Sequence, residues 1–260
     1  MRIRHVIVLL VLSCCLSLLM AISPQRSDAE WYIGGYGGDS SQGKLRDVQM
    51  PLLGERQALA QFPGFNHING DTLTSSLSSS DISLKNSAIF GGKGGYFFKD
   101  EGFSWLGVEV EAFTTQPTIK RQTVTTVLDA TFIPKNPAPP LSVPSTISQP
   151  GTILLEESRM RLITVAFNVV ARYPGTIFQP YVGVGGGAFY FSSSGQIDGR
   201  QVVPGLNLQA GLKVLATEEL GLFVEGKYNY ATITNLDPAG FGLSGVYSAF
   251  NVLAGVAYHF

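Results

Sequence analysis

Seven ionisable side chains alternate with apolar residues along short segments of the sequence. They are Lys93, Glu109, Glu111, Arg172, Lys213, Glu225 and Lys227. Alternation with a period of two places neighbouring residues on opposite faces of a β-strand, so these charges share the polar faces of strands. The four cations and three anions nearly balance. If the polar faces meet, these side chains can therefore pair in a hydrogen-bonded ion network.

Two histidines outside the N-terminal segment are the candidates for acid–base chemistry. His67 lies in the stretch Phe65-Asn66-His67-Ile68-Asn69-Gly70-Asp71, and His259 is the penultimate residue. Because Gly and Asn favour turns, His67 is expected in a loop, where a pair with Asp71 is conceivable. Catalysis needs a nucleophile beside such a base, and none is indicated. We predict no catalytic residue and no cofactor.

The N-terminal segment has the pattern of a signal peptide. A basic start is followed by an apolar run from Val6 to Ile22, and Ser27-Asp28-Ala29 places small residues before a cleavage site. We predict cleavage after Ala29, so that residues 1–29 are removed and residues 30–260 form one domain. A retained transmembrane helix is the alternative. Both cysteines lie in this segment, which excludes disulfides and Cys-ligated metals from the mature chain.

The charge balance gives no indication of a nucleic-acid partner. The first 29 residues hold three of the 18 basic side chains and one of the 19 acidic ones, which leaves 15 and 18. A nucleic-acid-binding protein would carry an excess of positive charge.

Period-two patterns predict eight strands, at residues 31–38, 87–98, 103–114, 158–173, 178–191, 205–216, 221–231 and 247–260. The connections at 99–102, 174–177 and 217–220 have four residues, whereas those at 39–86, 115–157, 192–204 and 232–246 are long. Alternating short and long connections are typical of an up-and-down barrel that crosses an outer membrane. The predicted fold is therefore all-β: an eight-stranded antiparallel transmembrane barrel with two long outer loops, 39–86 and 115–157.

Seven of the predicted strands have one face without charge. Val108, Val165 and Val252 belong to such faces, whereas Glu109 and Lys213 lie on the opposite ones. Aromatic residues stand near the ends of the apolar faces, as expected at the two membrane–water interfaces: Tyr96, Phe98, Tyr173, Phe178, Tyr190, Tyr228 and Tyr258. The first strand, 31–38, is too rich in glycine for its faces to be assigned.

These faces predict a barrel that is apolar outside and charged inside. An eight-stranded barrel has an interior that side chains can fill, so the seven charges are expected to plug the lumen. A narrow polar conduit is the alternative, since inward glycines would leave space: Gly91, Gly95, Gly183, Gly185, Gly187 and Gly211. Outside the membrane, residues 120–132 and 152–161 are expected to extend the third and fourth strands as a hairpin with a proline-rich tip. Residues 54–61 are expected to form a short helix.

Several segments resemble the outer-membrane protein β-barrel family, the small OmpA- and OmpX-like barrels. The opening Trp31-Tyr32-Ile33-Gly34-Gly35-Tyr36-Gly37-Gly38 is similar to the first strand of that family. The segments Gln179-Pro180-Tyr181-Val182-Gly183-Val184-Gly185-Gly186-Gly187 and Leu222-Phe223-Val224-Glu225-Gly226-Lys227-Tyr228 look like later strands. The C-terminal strand resembles the sorting signal that the barrel assembly machinery recognises, through Phe250, Val252, Val256, Tyr258 and Phe260.

The resemblance implies location in the bacterial outer membrane but says little about activity. We expect a non-enzymatic barrel with an envelope-structural or surface-interaction role, and loops 39–86 and 115–157 as possible contacts for an extracellular partner. The alternatives are a narrow channel for small polar solutes, a lipid A-modifying enzyme and a soluble lipocalin-like carrier. The His-x-Ser strand motif of lipid A deacylases is missing. Arg159 and Arg161, near the outer rim, are candidates for contact with lipopolysaccharide phosphates.

Overall fold

The computed structural model describes residues 31–99, 102–137 and 143–260, and the predicted signal peptide lies outside them. The described part contains one α-helix, α1 (Pro51–Gln61), a single 3-10 turn (His67–Asn69) and thirteen strands. The strands are β1 (Trp31–Gln49), β2 (Thr72–Ser79), β3 (Ile82–Lys85), β4 (Ser87–Phe98), β5 (Phe103–Thr115), β6 (Thr118–Ile119), β7 (Gln122–Ile133), β8 (Ser145–Leu155), β9 (Ser158–Arg172), β10 (Phe178–Ser194), β11 (Gly199–Leu215), β12 (Leu220–Ile233) and β13 (Ser244–His259).

Eight of these strands form a closed antiparallel ring. Each pairs with its neighbour in the order β1, β4, β5, β9, β10, β11, β12, β13, and β13 pairs back with β1. The backbone of Trp31 exchanges two hydrogen bonds with that of Phe260, at 3.3 and 3.0 Å, so the ring is closed at the end that carries the short turns. The predicted eight-stranded antiparallel barrel is confirmed.

The ring strands are longer at the end opposite the short turns than the sequence predicts. β1 continues to Gln49, where a loop from residue 39 was expected, because Lys44, Leu45 and Arg46 keep their pairing with β13. β10 and β11 pair out to Ser193 and Gly199, which leaves a tight turn instead of a loop over 192–204. The strands therefore extend past the apolar band on that side.

The predicted faces are found. Val165 and Val252 are 52% and 55% exposed on the outer surface of the ring, while Glu109 and Lys213 are buried inside it. The Gly-rich first strand, whose faces the sequence left open, places Trp31 and Ile33 outwards and buries Tyr32 and Tyr36.

Six inward aromatic residues lie directly across the ladder from a glycine: Tyr32–Gly95, Tyr36–Gly91, Phe97–Gly107, Phe113–Gly91, Tyr181–Gly211 and Phe223–Gly255. A Cβ atom on any of these glycines would lie 2.6 Å or less from an atom of a facing ring. The expectation that inward glycines leave open space is therefore wrong. They make room for rings, and at Gly183 and Gly185 for the amides of Gln209 and Asn168.

The long connections build an outer layer on top of the ring. β7 and β8 pair as a hairpin, and β2 pairs with the other edge of β7. This hairpin is not a direct extension of the third and fourth barrel strands as expected, because β6 intervenes and pairs with β3 and β9. Helix α1 packs on β2, where Gly54 allows its backbone to approach Leu77 closely.

An apolar cluster joins the outer layer to the outer half of the lumen. Barrel residues such as Phe189 and Phe191 pack in one cluster with Leu77 and Leu128 of the outer sheet. On β12 and β13 the change from polar to apolar is abrupt: the inward residues beyond Asn229 and Asn251 are Ala231 and Ala249. The barrel mouth is thus closed by a hydrophobic core of the kind found in soluble proteins.

We expect the substitution Gly91→Val to destabilise the barrel by about 1–3 kcal/mol, because it overpacks the space that the Tyr36 ring fills. The matched control is Gly92→Val on the same strand. Its Cβ would meet only the carbonyl oxygen of Gly34, at 3.4 Å. Urea and heat unfolding of the refolded barrel, followed by the gel-mobility difference between folded and unfolded forms, measures the effect. Equal midpoints for the two variants would contradict the packing argument.

Candidate functional site

The lumen network is a chain of five charged groups with alternating sign. Lys93 Nζ lies 2.6 Å from Glu225 Oε2 and 3.4 Å from Glu109 Oε2. Lys227 Nζ lies 3.3 Å from Glu225 Oε1 and forms a close ion pair with Glu111. The order is therefore Glu109, Lys93, Glu225, Lys227, Glu111, and all five side chains are almost fully buried.

A tyrosine hydroxyl donates a hydrogen bond to each of the three carboxylates. Tyr32 binds Glu109 at 2.5 Å, Tyr181 binds Glu225 at 2.8 Å, and Tyr36 binds Glu111. Hydrogen bonds to an ionised carboxylate favour the charged form and offset part of the cost of removing it from water. The rings of these tyrosines thus pack against the facing glycines, and their hydroxyl groups donate hydrogen bonds to the carboxylates of the network.

A row of side-chain amides borders the network on the side of the apolar cluster. Asn251 donates to Asn229 at 2.8 Å, Asn229 to Asn207 at 3.0 Å, and Asn207 to Asn168 at 2.9 Å. Asn168 and Gln209 both donate to Glu109 Oε1, at 3.0 and 2.9 Å. These amides belong to strands between β9 and β13. The hydrogen bonds that begin at the carboxylates therefore continue from one amide to the next around about half of the barrel wall.

Arg172 and Lys213 lie at the end of the lumen where the short turns are, apart from the five-membered chain. Arg172 Nε donates to the backbone carbonyl of Ser104 at 3.0 Å, and its guanidinium stacks 3.6 Å from the centre of the Phe97 ring. Lys213 Nζ lies 3.2 Å from His259 Nε2 and 4.6 Å from the centre of the Tyr32 ring. The structure brings all seven predicted residues into the lumen and joins five of them in one chain of ion pairs.

The remaining space near this network is small. A cavity of about 10 Å³ is lined by residues that include Lys93, Glu109, Arg172 and Lys213. This volume corresponds to about one water molecule. Lys93 and Lys227 also lie over aromatic rings, with Lys93 Nζ 4.7 Å from the centre of the Phe223 ring. Charged side chains and rings therefore occupy most of the space around this cavity.

The histidines do not form a catalytic arrangement with the described residues around them. Asp71 accepts hydrogen bonds from the backbone of Asn66, at 3.0 Å, and of Lys135, at 3.1 Å, so its carboxylate fastens the turn instead of orienting His67. His259 is buried at the far end of the lumen beside Lys213. Within residues 31–99, 102–137 and 143–260, no three His, Cys, Asp or Glu side chains are placed to hold a metal ion.

The predicted surface residues all point outwards. Arg159 and Arg161 are exposed on β9, beyond the apolar part of the strand. The C-terminal residues are also exposed on the outer surface of the ring, at 43% to 64% of their area: Phe250, Val252, Val256, Tyr258 and Phe260. No helix in the described part of the chain is long and apolar enough to cross a membrane.

The network predicted from the sequence includes only charged residues and leaves out the tyrosines and asparagines that complete it. Tyr181 alternates with the outward Pro180 and Val182, so parity alone could have placed it inside. Asn168, Asn207 and Asn229 lie on polar faces that the charge pattern had already identified. The alternation of residues along each strand therefore indicated these inward positions, but the predicted network was limited to charged residues and did not include their neutral partners.

Residues 52–260 match the outer membrane protein beta-barrel domain family. The chain belongs to this family. Family membership, the closed ring and its apolar outer surface place the protein in the bacterial outer membrane. The aromatic side chains at the rims then lie at the two interfaces, and the short turns face the periplasm.

The chain is similar, at low sequence identity, to several solved structures of outer-membrane proteins. Neisserial surface protein A is 13% identical, with 88% of this chain and 97% of that chain covered and a TM-score of 0.45. OprG from Pseudomonas aeruginosa is 14% identical, with 92% and 99% covered and a TM-score of 0.43. The outer membrane protease OmpT from Escherichia coli is 11% identical, with 92% and 98% covered and a TM-score of 0.40. No curated protein matches the sequence.

We expect Lys227→Met to destabilise the barrel by about 3–5 kcal/mol, because it leaves Glu111 and Glu225 buried with less positive charge beside them. Adding Glu111→Gln in the same chain should restore part of the loss. The exposed pair Lys85–Glu157 gives the control, since Lys85→Met should cost less than about 1 kcal/mol. Urea unfolding in lipid vesicles measures the free energies of the unaltered protein, Lys227→Met, Glu111→Gln, the double variant and Lys85→Met. Additive effects of Lys227→Met and Glu111→Gln would show that the two groups do not interact.

Proposed function

We propose that this outer-membrane barrel is a non-conducting, non-enzymatic protein whose lumen is plugged by side chains and whose outer layer serves envelope structure or surface interaction. The observation that carries the proposal is the alternating chain of Glu109, Lys93, Glu225, Lys227 and Glu111 across the lumen. Two further features support it: the cavity beside the chain holds about one water, and an apolar cluster closes the outer mouth.

The arrangement of the polar groups also supports a role without catalysis. The network carboxylates and the Lys93 and Lys227 ammonium groups are bound to one another or to tyrosines and amides, and they are buried. An activated nucleophile needs a base within reach and access for its substrate. A lipid A-modifying activity would change the mass spectrum of lipid A from cells that express the protein, and we expect an unchanged spectrum.

The outer layer offers a surface for interaction. The face of the β2–β7–β8 sheet that points away from α1 carries hydroxyl groups in register, and Thr131 Oγ1 lies 3.2 Å from Thr146 Oγ1. A cleft of about 260 Å³ opens between α1 and β8, lined by uncharged residues such as Gln57, Gln61 and Gln149. Long loops on a rigid scaffold often carry binding, which supports an extracellular partner.

Recognition by the barrel assembly machinery is part of the same proposal. Phe250, Val252, Val256, Tyr258 and Phe260 form one outward column on the closing strand, which only pairs with β1 when the ring is complete. Before closure that strand has a free edge that another chain can pair with.

We expect no discrete conductance steps from the purified protein in planar lipid bilayers, because ions would have to pass through the paired charges and the apolar cluster. A general porin added afterwards to the same bilayer shows that the membrane supports insertion and detection. Reproducible steps from the protein alone, of constant size across preparations, would instead establish the narrow-channel alternative.

A further inference from the structure

The cleft between helix α1 and the edge strand β8 has a volume of about 260 Å³. Helix α1 packs on β2, with Gly54 and Ala58 buried. β8 lies beyond β7 in the sheet order β2, β7, β8, so the face of the sheet next to the helix stays open there. Gln57, Ala60 and Gln61 share one side of the helix and line the cleft. The cleft therefore has a helical wall and a floor made by β7 and β8.

The floor of the cleft is open because Gly151 carries no side chain. Gly151 pairs with Thr126 on β7, and a Cβ atom on Gly151 would lie 3.3 Å from the hydroxyl oxygen of Thr126. A larger residue at this place would therefore cover that hydroxyl group. Thr126 is only 4% exposed, and its hydroxyl group forms no hydrogen bond with another described residue. A buried hydroxyl group needs a partner, which a molecule in the cleft would supply.

The other polar side chains of the cleft are also free to bind. The amides of Gln57, Gln61 and Gln149 and the hydroxyl group of Thr152 form no hydrogen bond within the part of the chain that the structure describes. Three other glutamines of the outer region are bound to backbone groups: Gln122, Gln196 and Gln201. The cleft thus collects the side-chain amides that the fold itself does not use.

These groups favour a neutral ligand that is rich in hydroxyl groups. None of the described residues that line the cleft is charged, so an ion would lose hydration there without gaining a partner of opposite sign. A sugar hydroxyl group both donates and accepts hydrogen bonds, as do the amides and hydroxyl groups of the cleft. Leu128 and Pro150 add apolar surface, on which the C–H face of a sugar ring can pack.

An added peptide strand fits this place less well, although β8 ends the sheet and has a free edge. The carbonyl of Thr125 accepts a hydrogen bond from the backbone of Ser80, on the side of β2. Val127 has the same parity on β7 and therefore also directs its backbone groups towards β2. Pro150 lies opposite Val127, so it faces the free edge, where it has no N–H group to donate. Continuous pairing along this edge is thus interrupted at its middle.

We infer that this cleft binds a neutral oligosaccharide, whose hydroxyl groups are bound by the amides of Gln57 and Gln149 and by the hydroxyl group of Thr126. The inference rests on the proposed function, in which the outer layer serves surface interaction, and it names the class of ligand. The volume lies just below the range of about 300–1,000 Å³ for sites that enclose drug-sized molecules, which suits one or two sugar rings.

An array of neutral di- and trisaccharides, each printed beside its sialylated and sulfated forms, tests the inference. The refolded protein is kept in a detergent without a sugar head group, because maltosides and glucosides would compete for the cleft. We expect it to retain neutral members of the array and to bind their charged forms more weakly. The same saccharide, free in solution, should displace the protein from the array.

Two variants alter the cleft in different ways. Gly151→Val covers Thr126 without removing a polar group, whereas Gln57→Met/Gln149→Met removes two amides. Each should weaken binding at least about tenfold, the first by closing the floor and the second by the loss of two hydrogen bonds. The matched controls should bind like the unaltered protein. They are Ser148→Val, on the opposite face of β8, and Gln49→Met/Gln116→Met, at two exposed positions outside the cleft.

The gel-mobility shift shows whether each variant is folded, and the double glutamine variant carries the test if Gly151→Val does not fold. Three results would overturn the inference: no neutral saccharide retained by the unaltered protein, equal losses in cleft and control variants, or stronger retention of the charged forms. None of them contradicts the plugged lumen, which the conductance measurement tests separately. Cleavage of a retained saccharide, detected as new reducing ends, would support the binding site but contradict the non-enzymatic role.

Discussion

The structure depends on one constraint, which is that a charged side chain inside an eight-stranded ring has no bulk water around it. Such a charge must be paired and hydrogen-bonded, or the barrel loses several kcal/mol of stability. Glu109, Lys93, Glu225, Lys227 and Glu111 meet this requirement by alternating in sign, so that each inner member lies between two opposite charges. The three tyrosine hydroxyls then take up acceptor capacity that the lysines leave unused.

The same narrow ring explains the composition of its wall. Space for large side chains is scarce in this lumen, and in six cases an inward aromatic residue has a glycine directly opposite on a neighbouring strand. Glycine weakens a strand in isolation, but close approach of a side chain is a recognised reason for its presence. The inward glycines suggest an open lumen when only the sequence is considered. In the structure they leave the room that the rings of Tyr36 and Tyr181 fill.

The sequence predicts the ring well because the alternation of inward and outward side chains along a strand is a local property. A period of two assigns Val165 to one face and Thr164 or Asn168 to the other without knowledge of the fold, and short turns give the strand order. Pairings between distant segments are not local. The alignment of Asn168 with Asn207 and Asn229 depends on the register of four strands. The pairing of β2 with β7 likewise brings together segments that are some fifty residues apart.

The outer layer was predicted least well for a related reason. Residues 72–85 were expected to belong to a loop, yet they form β2 and β3 because Leu77, Ile82 and Leu84 bury their side chains in a core shared with the barrel mouth. The hairpin over 120–132 and 152–161 was expected, but its position was not, because that position depends on the same core through Val124 and Leu128. Alternation was present in β7, where buried and exposed residues alternate along the strand. The assignment of that buried face requires knowledge of what covers it, and the cover is α1 and the barrel itself.

The cost of separating the buried ion pairs supports the proposal that thermal fluctuations do not open the plug. A passage through the lumen would have to separate at least two ion pairs of the chain, at about 3–5 kcal/mol for each charge left unpaired. It would also have to displace the apolar cluster at the outer mouth. Together these costs approach the whole stability of an ordinary domain, about 5–15 kcal/mol. Under the proposed function, opening the lumen would thus cost about as much as unfolding the barrel, and the outer layer and the lipid-facing wall are the surfaces left for interaction.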